Sequence, residues 1–293
     1  MSSLPPLIAP GTLAAYLDDP ALRVFDTTVH LTRPPGVSRY TIVSGRAEYE
    51  RGHIPGAAFA DLPGELSDPD APLRNTPLEP ERFAEAAGRL GIGPDTHVVA
   101  YSRSTPMWAT RLWWLLRHAG FDKVSVLDGG LDAWRRAGLW IEEGARSYAP
   151  ARFEAQPRPQ LLARRDDVWD VVAGRAEARL WNVLTPATFR GEDPGSASRP
   201  GRIPGSVNVH WQTLLDDGSG RFRPPGELAA RLRPVGALDS SGVIAYCGGG
   251  IAATVGLFAL SLVGRDGLDG RTRLYDGSLN DWSSDPSLPL DVG

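Results

Sequence analysis

The residues best placed to do chemistry lie in Ala245-Tyr246-Cys247-Gly248-Gly249-Gly250-Ile251-Ala252-Ala253-Thr254, where the only cysteine of the chain meets three consecutive glycines. The apolar run Val243–Tyr246 predicts a buried strand that delivers Cys247, and the stretch Ile251–Val263 predicts a helix opening directly after the glycines. In an open α/β sheet ligands bind beyond the carboxyl ends of strands, which is where this thiol falls. Glycines let successive N–H groups turn toward one point, and a helix N-terminus adds partial positive charge, so the loop reads as an anion-binding nest. A thiolate at its centre would be stabilised by several donors and would act as a nucleophile. A lone cysteine is more often a small buried hydrophobe. Its place between a strand and three glycines outweighs that reading, because a plain turn needs only one or two glycines.

Spacing and composition narrow the chemistry. A cysteine phosphatase or arsenate reductase needs an arginine six residues after the nucleophile, and that position is Ala253. A Cys-His hydrolase needs a base near the thiol, for which His53 is the one candidate with motif support. One cysteine in 293 residues excludes an intramolecular disulfide, a C-x-x-C redox pair and a multi-cysteine metal site, so no metal is expected. The net charge of -4 argues against a nucleic-acid binder driven by bulk charge. Lys123 is the only lysine, so arginine is simply the default cation here and each one is not read as functional. The opening residues Met1-Ser2-Ser3-Leu4-Pro5-Pro6 lack the basic and apolar regions of a signal peptide. Ser240 to Gly264 carries no formal charge, but its glycine run interrupts it, so a strand, a loop and a helix are expected rather than a membrane span. A soluble, cytoplasmic protein that binds neither nucleic acid nor membrane is the expectation.

The elements that must position the cysteine occur twice. Gly52-His53-Ile54-Pro55-Gly56-Ala57 matches Gly201-Arg202-Ile203-Pro204-Gly205-Ser206, Val98–Ser102 matches Val243–Cys247, and Leu127–Trp134 matches Tyr275–Trp282. The offsets are 149 (Gly52 to Gly201), 145 (Val98 to Val243) and 148 (Leu127 to Tyr275), in one order, which indicates a tandem duplication. Leu22–Phe25, His97–Tyr101, Val124–Leu127, Leu180–Val183, Val243–Tyr246 and Thr272–Tyr275 read as strands. Glu79–Leu90, Met107–Ala119, Gly226–Leu232 and Ile251–Val263 read as helices. Nearly all-apolar strands alternating with helices imply an α/β fold: in each half, a parallel sheet with helices on both faces. The halves are expected at 1–145 and 161–293, with 146–160 as linker.

Taken together, the His-Ile-Pro-Gly-Ala segment at 53–57, its partner at 202–206, the Cys247 loop and the segments at 128–134 and 276–282 resemble the two-domain rhodanese family of sulfurtransferases. The resemblance covers nearly the whole chain and implies two tandem rhodanese-like domains. It implies a catalytic second domain and a first domain without the cysteine, where Ser102 takes the matching place. In such enzymes the thiolate attacks the outer sulfur of a donor, becomes a persulfide, and releases sulfite from thiosulfate or pyruvate from 3-mercaptopyruvate. A thiol or cyanide then removes the sulfur, with a thioredoxin-like reductant as a further partner. No metal or organic cofactor is needed.

On this reading Cys247 is catalytic, and Gly248, Gly249, Gly250, Ile251, Ala252, Arg190, Arg199 and His53 bind substrate. The sequence departs from the family pattern in two places. Thiosulfate-preferring members carry cations in the loop and mercaptopyruvate-preferring members a serine, where this chain has Gly249. The family's Arg-Phe-x-Gly appears as Thr188-Phe189-Arg190-Gly191, leaving Arg190 either a replacement ligand or a solvated charge, with Arg199 and Arg202 nearby. Trp108 and Trp211 are expected to line a cleft between the halves, to which the first half lends His53. The alternative function is a persulfide carrier or interaction module with little turnover of small donors.

Overall fold

A computed structural model describes residues 4–32, 40–193 and 195–293. In it the chain divides into two units. One takes the chain up to Leu31, Ile42–Arg158 and the short segment Gly218–Arg221; the other takes, of the described residues, Thr32, Tyr40 and Thr41 together with Pro159–Asp217 and Phe222–Gly293.

The first half contributes strands β1 (Leu7–Ile8), β2 (Leu22–Asp26), β3 (Val29–Thr32), β4 (Thr41–Ser44), β5 (Ala58–Phe59), β6 (His97–Tyr101) and β7 (Val124–Leu127). Five of them form a parallel sheet in the order β1-β7-β6-β2-β5, while β3 and β4 pair separately. The second half contributes β8 (Leu162–Ala163), β9 (Arg179–Asn182), β10 (Val207–Asn208), β11 (Val243–Tyr246) and β12 (Thr272–Tyr275), parallel throughout. Its order, β8-β12-β11-β9-β10, repeats that of the first sheet strand for strand. Every residue of the central strands β6 and β11 is buried, as their nearly all-apolar runs require in a sheet flanked by helices.

The duplicated motifs have a structural explanation in each unit. The hydroxyl of Tyr101, at the end of β6, accepts the Ile54 N–H at 3.3 Å, and Tyr246, at the end of β11, accepts that of Ile203 at 3.2 Å. His53 exchanges both backbone hydrogen bonds with Glu142, and Arg202 does the same with Asp291. The Ile-Pro-Gly segment therefore docks a strand-end tyrosine and the tail beyond the last helix in both halves, whether or not a cysteine is present. Leu127, Leu131 and Trp134 join Val24, Val99 and Tyr101 in one core, and Tyr275, Leu279 and Trp282 join Leu180, Ile244 and Tyr246 in the other.

Several expected element bounds shift by a residue or two. β9 runs Arg179–Asn182, one residue earlier than read from the sequence. The helix after the glycines spans Ala253–Leu262, because Ile251 and Ala252 form a tighter turn closed by Thr254 N–H to Ile251 O and Val255 N–H to Ala252 O. The two-residue strands β1, β5, β8 and β10 are too short to carry a periodic signal. The uncharged stretch 240–264 splits into β11, the loop and the Ala253–Leu262 helix, and no helix among the described residues is long and apolar enough to cross a membrane.

Candidate active site

Cys247 is the first residue past β11 and is buried. Among the described residues, the N–H groups of Gly248, Gly249, Ile251 and Ala252 have no protein acceptor, so the loop that follows the thiol keeps a set of unspent donors. Gly250 must be glycine. Its φ is +81°, and an added Cβ would come within 2.6 Å of the Asp276 carbonyl oxygen. The loop is tied to the segment after β12 by Leu279 N–H to Cys247 O at 3.1 Å and Asn280 N–H to Gly248 O at 2.8 Å. Below it the Tyr246 phenol, pushed up to about 12 by burial, stays protonated and donates to Ser206 Oγ at 2.7 Å.

Sequence reasoning missed Ser278. Its hydroxyl accepts from Cys247 N–H at 3.0 Å and Gly250 N–H at 3.2 Å, and donates to Tyr275 O at 2.8 Å. One donor and two acceptor sites are thereby all used, and the serine pins both ends of the glycine run. The backbone there has φ +51°, a left-handed conformation that costs a non-glycine residue about 1 kcal/mol or more. The matching residue of the first unit is Gly130, with φ +56°. A serine where the repeat has a glycine was the available signal: strain is accepted in exchange for the hydroxyl.

The other sequence-named residues lie in different surroundings. Arg190 is exposed and chelated by Glu192, Nε to Oε1 at 2.6 Å and Nη2 to Oε2 at 2.9 Å. Arg199 donates to the carbonyl oxygens of Ser283, Asp285 and Leu288, holding the chain after the Ser278–Trp282 helix. Arg202 lies over the Phe189 ring and donates to Gly293 O at 2.8 Å. Among the described residues none of these guanidiniums bonds to the Cys247 loop. His53 is fully buried in its own unit, stacked on Tyr49 with Nδ1 2.9 Å from the Tyr49 carbonyl oxygen. Its Nε2 has no hydrogen-bond partner among the described residues and lies 4.0 Å from Glu142 Oε2. Trp108 and Trp211 are both buried.

The first unit's counterpart of the thiol is Ser102, past β6. Thr27 Oγ1 donates to Tyr101 O at 2.9 Å, so the Ser102 hydroxyl, 2.9 Å away, donates to Thr27. The next residue, Arg103, turns its guanidinium inward to Glu48 O at 2.8 Å, to Gly52 O, and to Asp26 Oδ2 at 3.6 Å. Asp26 is itself buried, which pushes its carboxyl above the ordinary range against the opposing pull of Thr28 and Arg103. The tie to the segment after β7 survives as Leu131 N–H to Ser102 O at 3.2 Å.

A parallel α/β unit whose central strand ends in a cysteine and a loop of unpartnered amides sets the site, and the comparisons give its family. The family model described as "Rhodanese-like domain" matches residues 38–137 and 166–285. The 3-mercaptopyruvate sulfurtransferase of Escherichia coli (strain K12) is 34% identical over 281 residues, 95% of each chain. The Homo sapiens protein of the same name is 36% identical over 243 residues, 81% of this chain and 79% of that one. The crystal structure of SseA from Escherichia coli, a 3-mercaptopyruvate sulfotransferase with the rhodanese fold, matches with a TM-score of 0.80 at 33% identity, covering 94% of this chain and 99% of that one. The chain belongs to the rhodanese family of sulfurtransferases. It carries two rhodanese-like domains, each a parallel sheet flanked by helices.

Proposed function

We propose that this chain moves a sulfur atom from 3-mercaptopyruvate to a thiol acceptor through a persulfide on Cys247. In this reading 161–293 is the catalytic domain, 1–145 a non-catalytic companion, and 146–160 the linker. The Cys247 thiolate attacks the sulfur of the donor. The S–S bond forms as the C–S bond breaks, and the electron pair passes to the 2-oxo group as the enolate of pyruvate, which takes up a proton and leaves. The persulfide sulfur then faces the amides of Gly248, Gly249, Ile251 and Ala252, which stabilise its charge without a cation. An acceptor thiol attacks that outer sulfur and returns Cys247 as thiolate, and a thioredoxin-like reductant or cyanide can serve in the same step.

The observation that carries the reading is the set of loop amides directly after the thiol that have no acceptor among the described residues, with no cation among them bonded to the loop. Relatives named for 3-mercaptopyruvate at 34% and 36% identity support the donor. Cys247 alone, with no second cysteine to trap it, suits a reducing compartment such as the cytoplasm. The test is kcat/KM for 3-mercaptopyruvate and thiosulfate side by side, with cyanide as acceptor. An advantage of about ten-fold or more for 3-mercaptopyruvate, about 1.4 kcal/mol of barrier, is expected. The reverse ratio would overturn the donor assignment, and no turnover of either would make the chain a persulfide carrier.

A further inference from the structure

Gly248 and Gly249 are glycines for a different reason from Gly250. Neither has a left-handed φ, so their backbone would accept any residue. What excludes a side chain is occupied space. An added Cβ at Gly248 would meet Ser196 Oγ at 2.9 Å, and one at Gly249 would meet Asn280 Nδ2 at 2.9 Å. Two polar side chains thus lie against the glycines where a loop side chain would otherwise stand, and they are bonded to each other. Ser196 Oγ donates to Asn280 Oδ1 at 2.9 Å. That bond turns the amide so that Nδ2 lies beside Gly249, and the Asn280 N–H to Gly248 O bond fixes its main chain at 2.8 Å. Asn280 Nδ2 has no acceptor among the described residues, although it is only half exposed and sits beside a loop whose own amides are also unspent.

We propose that Asn280, oriented by Ser196, is a binding residue of the active site, donating from Nδ2 to the oxyanion of the sulfur donor. The inference rests on the sulfurtransferase reading and deepens it. The ligand chemistry is a carboxylate or 2-oxo oxygen a few bonds from the reacting sulfur, as in 3-mercaptopyruvate and its product pyruvate. A carboxamide is a neutral donor, so it can hold such an oxygen without competing with the thiolate as a counter-ion would. It also explains why this loop tolerates Gly249: the donor arrives from Asn280 rather than from the loop.

Protection of Cys247 from iodoacetamide by pyruvate provides the test, because it reads binding without turnover. Asn280→Ala should weaken protection about ten-fold, the worth of one hydrogen bond to a charged group, while leaving the unprotected alkylation rate within about two-fold. Asn280→Asp, the same size but unable to donate and negatively charged, should weaken it further. Introducing Gly249→Ser should cost more activity in the wild type than in Asn280→Ala, where the space has been vacated. Protection unchanged in both Asn280 variants would overturn the inference alone. So would an alkylation rate that falls in parallel with protection in Asn280→Ala, since that marks a loop support. Failure of the wild type to turn over 3-mercaptopyruvate would instead overturn the donor reading on which it rests.

Discussion

The loop after Tyr246 and the loop after Tyr101 leave equivalent strands and are tied by equivalent bonds to the segment after the next strand, Leu279 to Cys247 and Leu131 to Ser102. What fills them differs. Past Cys247 the amides of Gly248, Gly249, Ile251 and Ala252 are unspent among the described residues, and the residue in register with Tyr246 on the neighbouring strand is the neutral Asn182. Past Ser102 the hydroxyl is committed to Thr27, Arg103 folds inward, and the residue in register with Tyr101 is the buried carboxylate Asp26. At this place the first unit has a buried carboxyl and a guanidinium, where the second has a neutral carboxamide and loop amides without acceptors among the described residues. The frame is the same in both halves, and a few side chains set the charge at this place.

The comparison can be broken most severely at the thiol. Cys247→Ser should abolish sulfur transfer with the fold intact, since a hydroxyl oxygen accepts no sulfane sulfur and the volume hardly changes. Circular dichroism beside turnover checks both halves of that statement. Next comes the serine that pins the loop. Ser278→Gly gives this position the residue the first unit has, removing backbone strain together with three hydrogen bonds. We expect kcat/KM to fall by about 10- to 100-fold, or about 1.4 to 2.7 kcal/mol, with a small change in Tm. A loss of stability without a loss of activity would make Ser278 a fold residue only.

A smaller effect is expected from making the second unit resemble the first electrostatically. Asn182→Asp places a carboxyl beside the residue that precedes Cys247, and a negative charge there opposes a thiolate. Alkylation of Cys247 at neutral pH should slow by roughly three- to ten-fold, and an unchanged rate would show that Asp26 has no part in silencing the first loop. The smallest effect belongs to Ser102→Ala. Its hydroxyl serves only Thr27, so kcat/KM should remain within about three-fold of wild type.

The parts of this comparison that the sequence showed are those carried by contiguous residues. The central strands β6 and β11 and the glycine loop are local patterns, and the tandem repeat is three such patterns at offsets of 145 to 149. The rest depends on partners far along the chain. Ser278 reaches Cys247 across 31 positions, and only its replacement of Gly130 in the repeat hinted at it. Arg190 and Arg199 read as ligand candidates because they are cations near the motifs, yet Glu192 and a set of backbone carbonyls occupy them. No composition or spacing signals that kind of occupation. His53 likewise belongs to a motif whose recurrence is explained by a backbone bridge to Glu142, repeated by Arg202 with Asp291.

Mass spectrometry of the intact chain after brief exposure to 3-mercaptopyruvate, without acceptor, shows directly whether just one loop of the two accepts sulfur. The expected result is a mass gain of one sulfur atom per chain, located on the peptide bearing Cys247, matched by one released pyruvate, and absent in Cys247→Ser. Pyruvate release with no sulfur retained on that peptide, or a gain that survives the Cys247→Ser substitution, would contradict it.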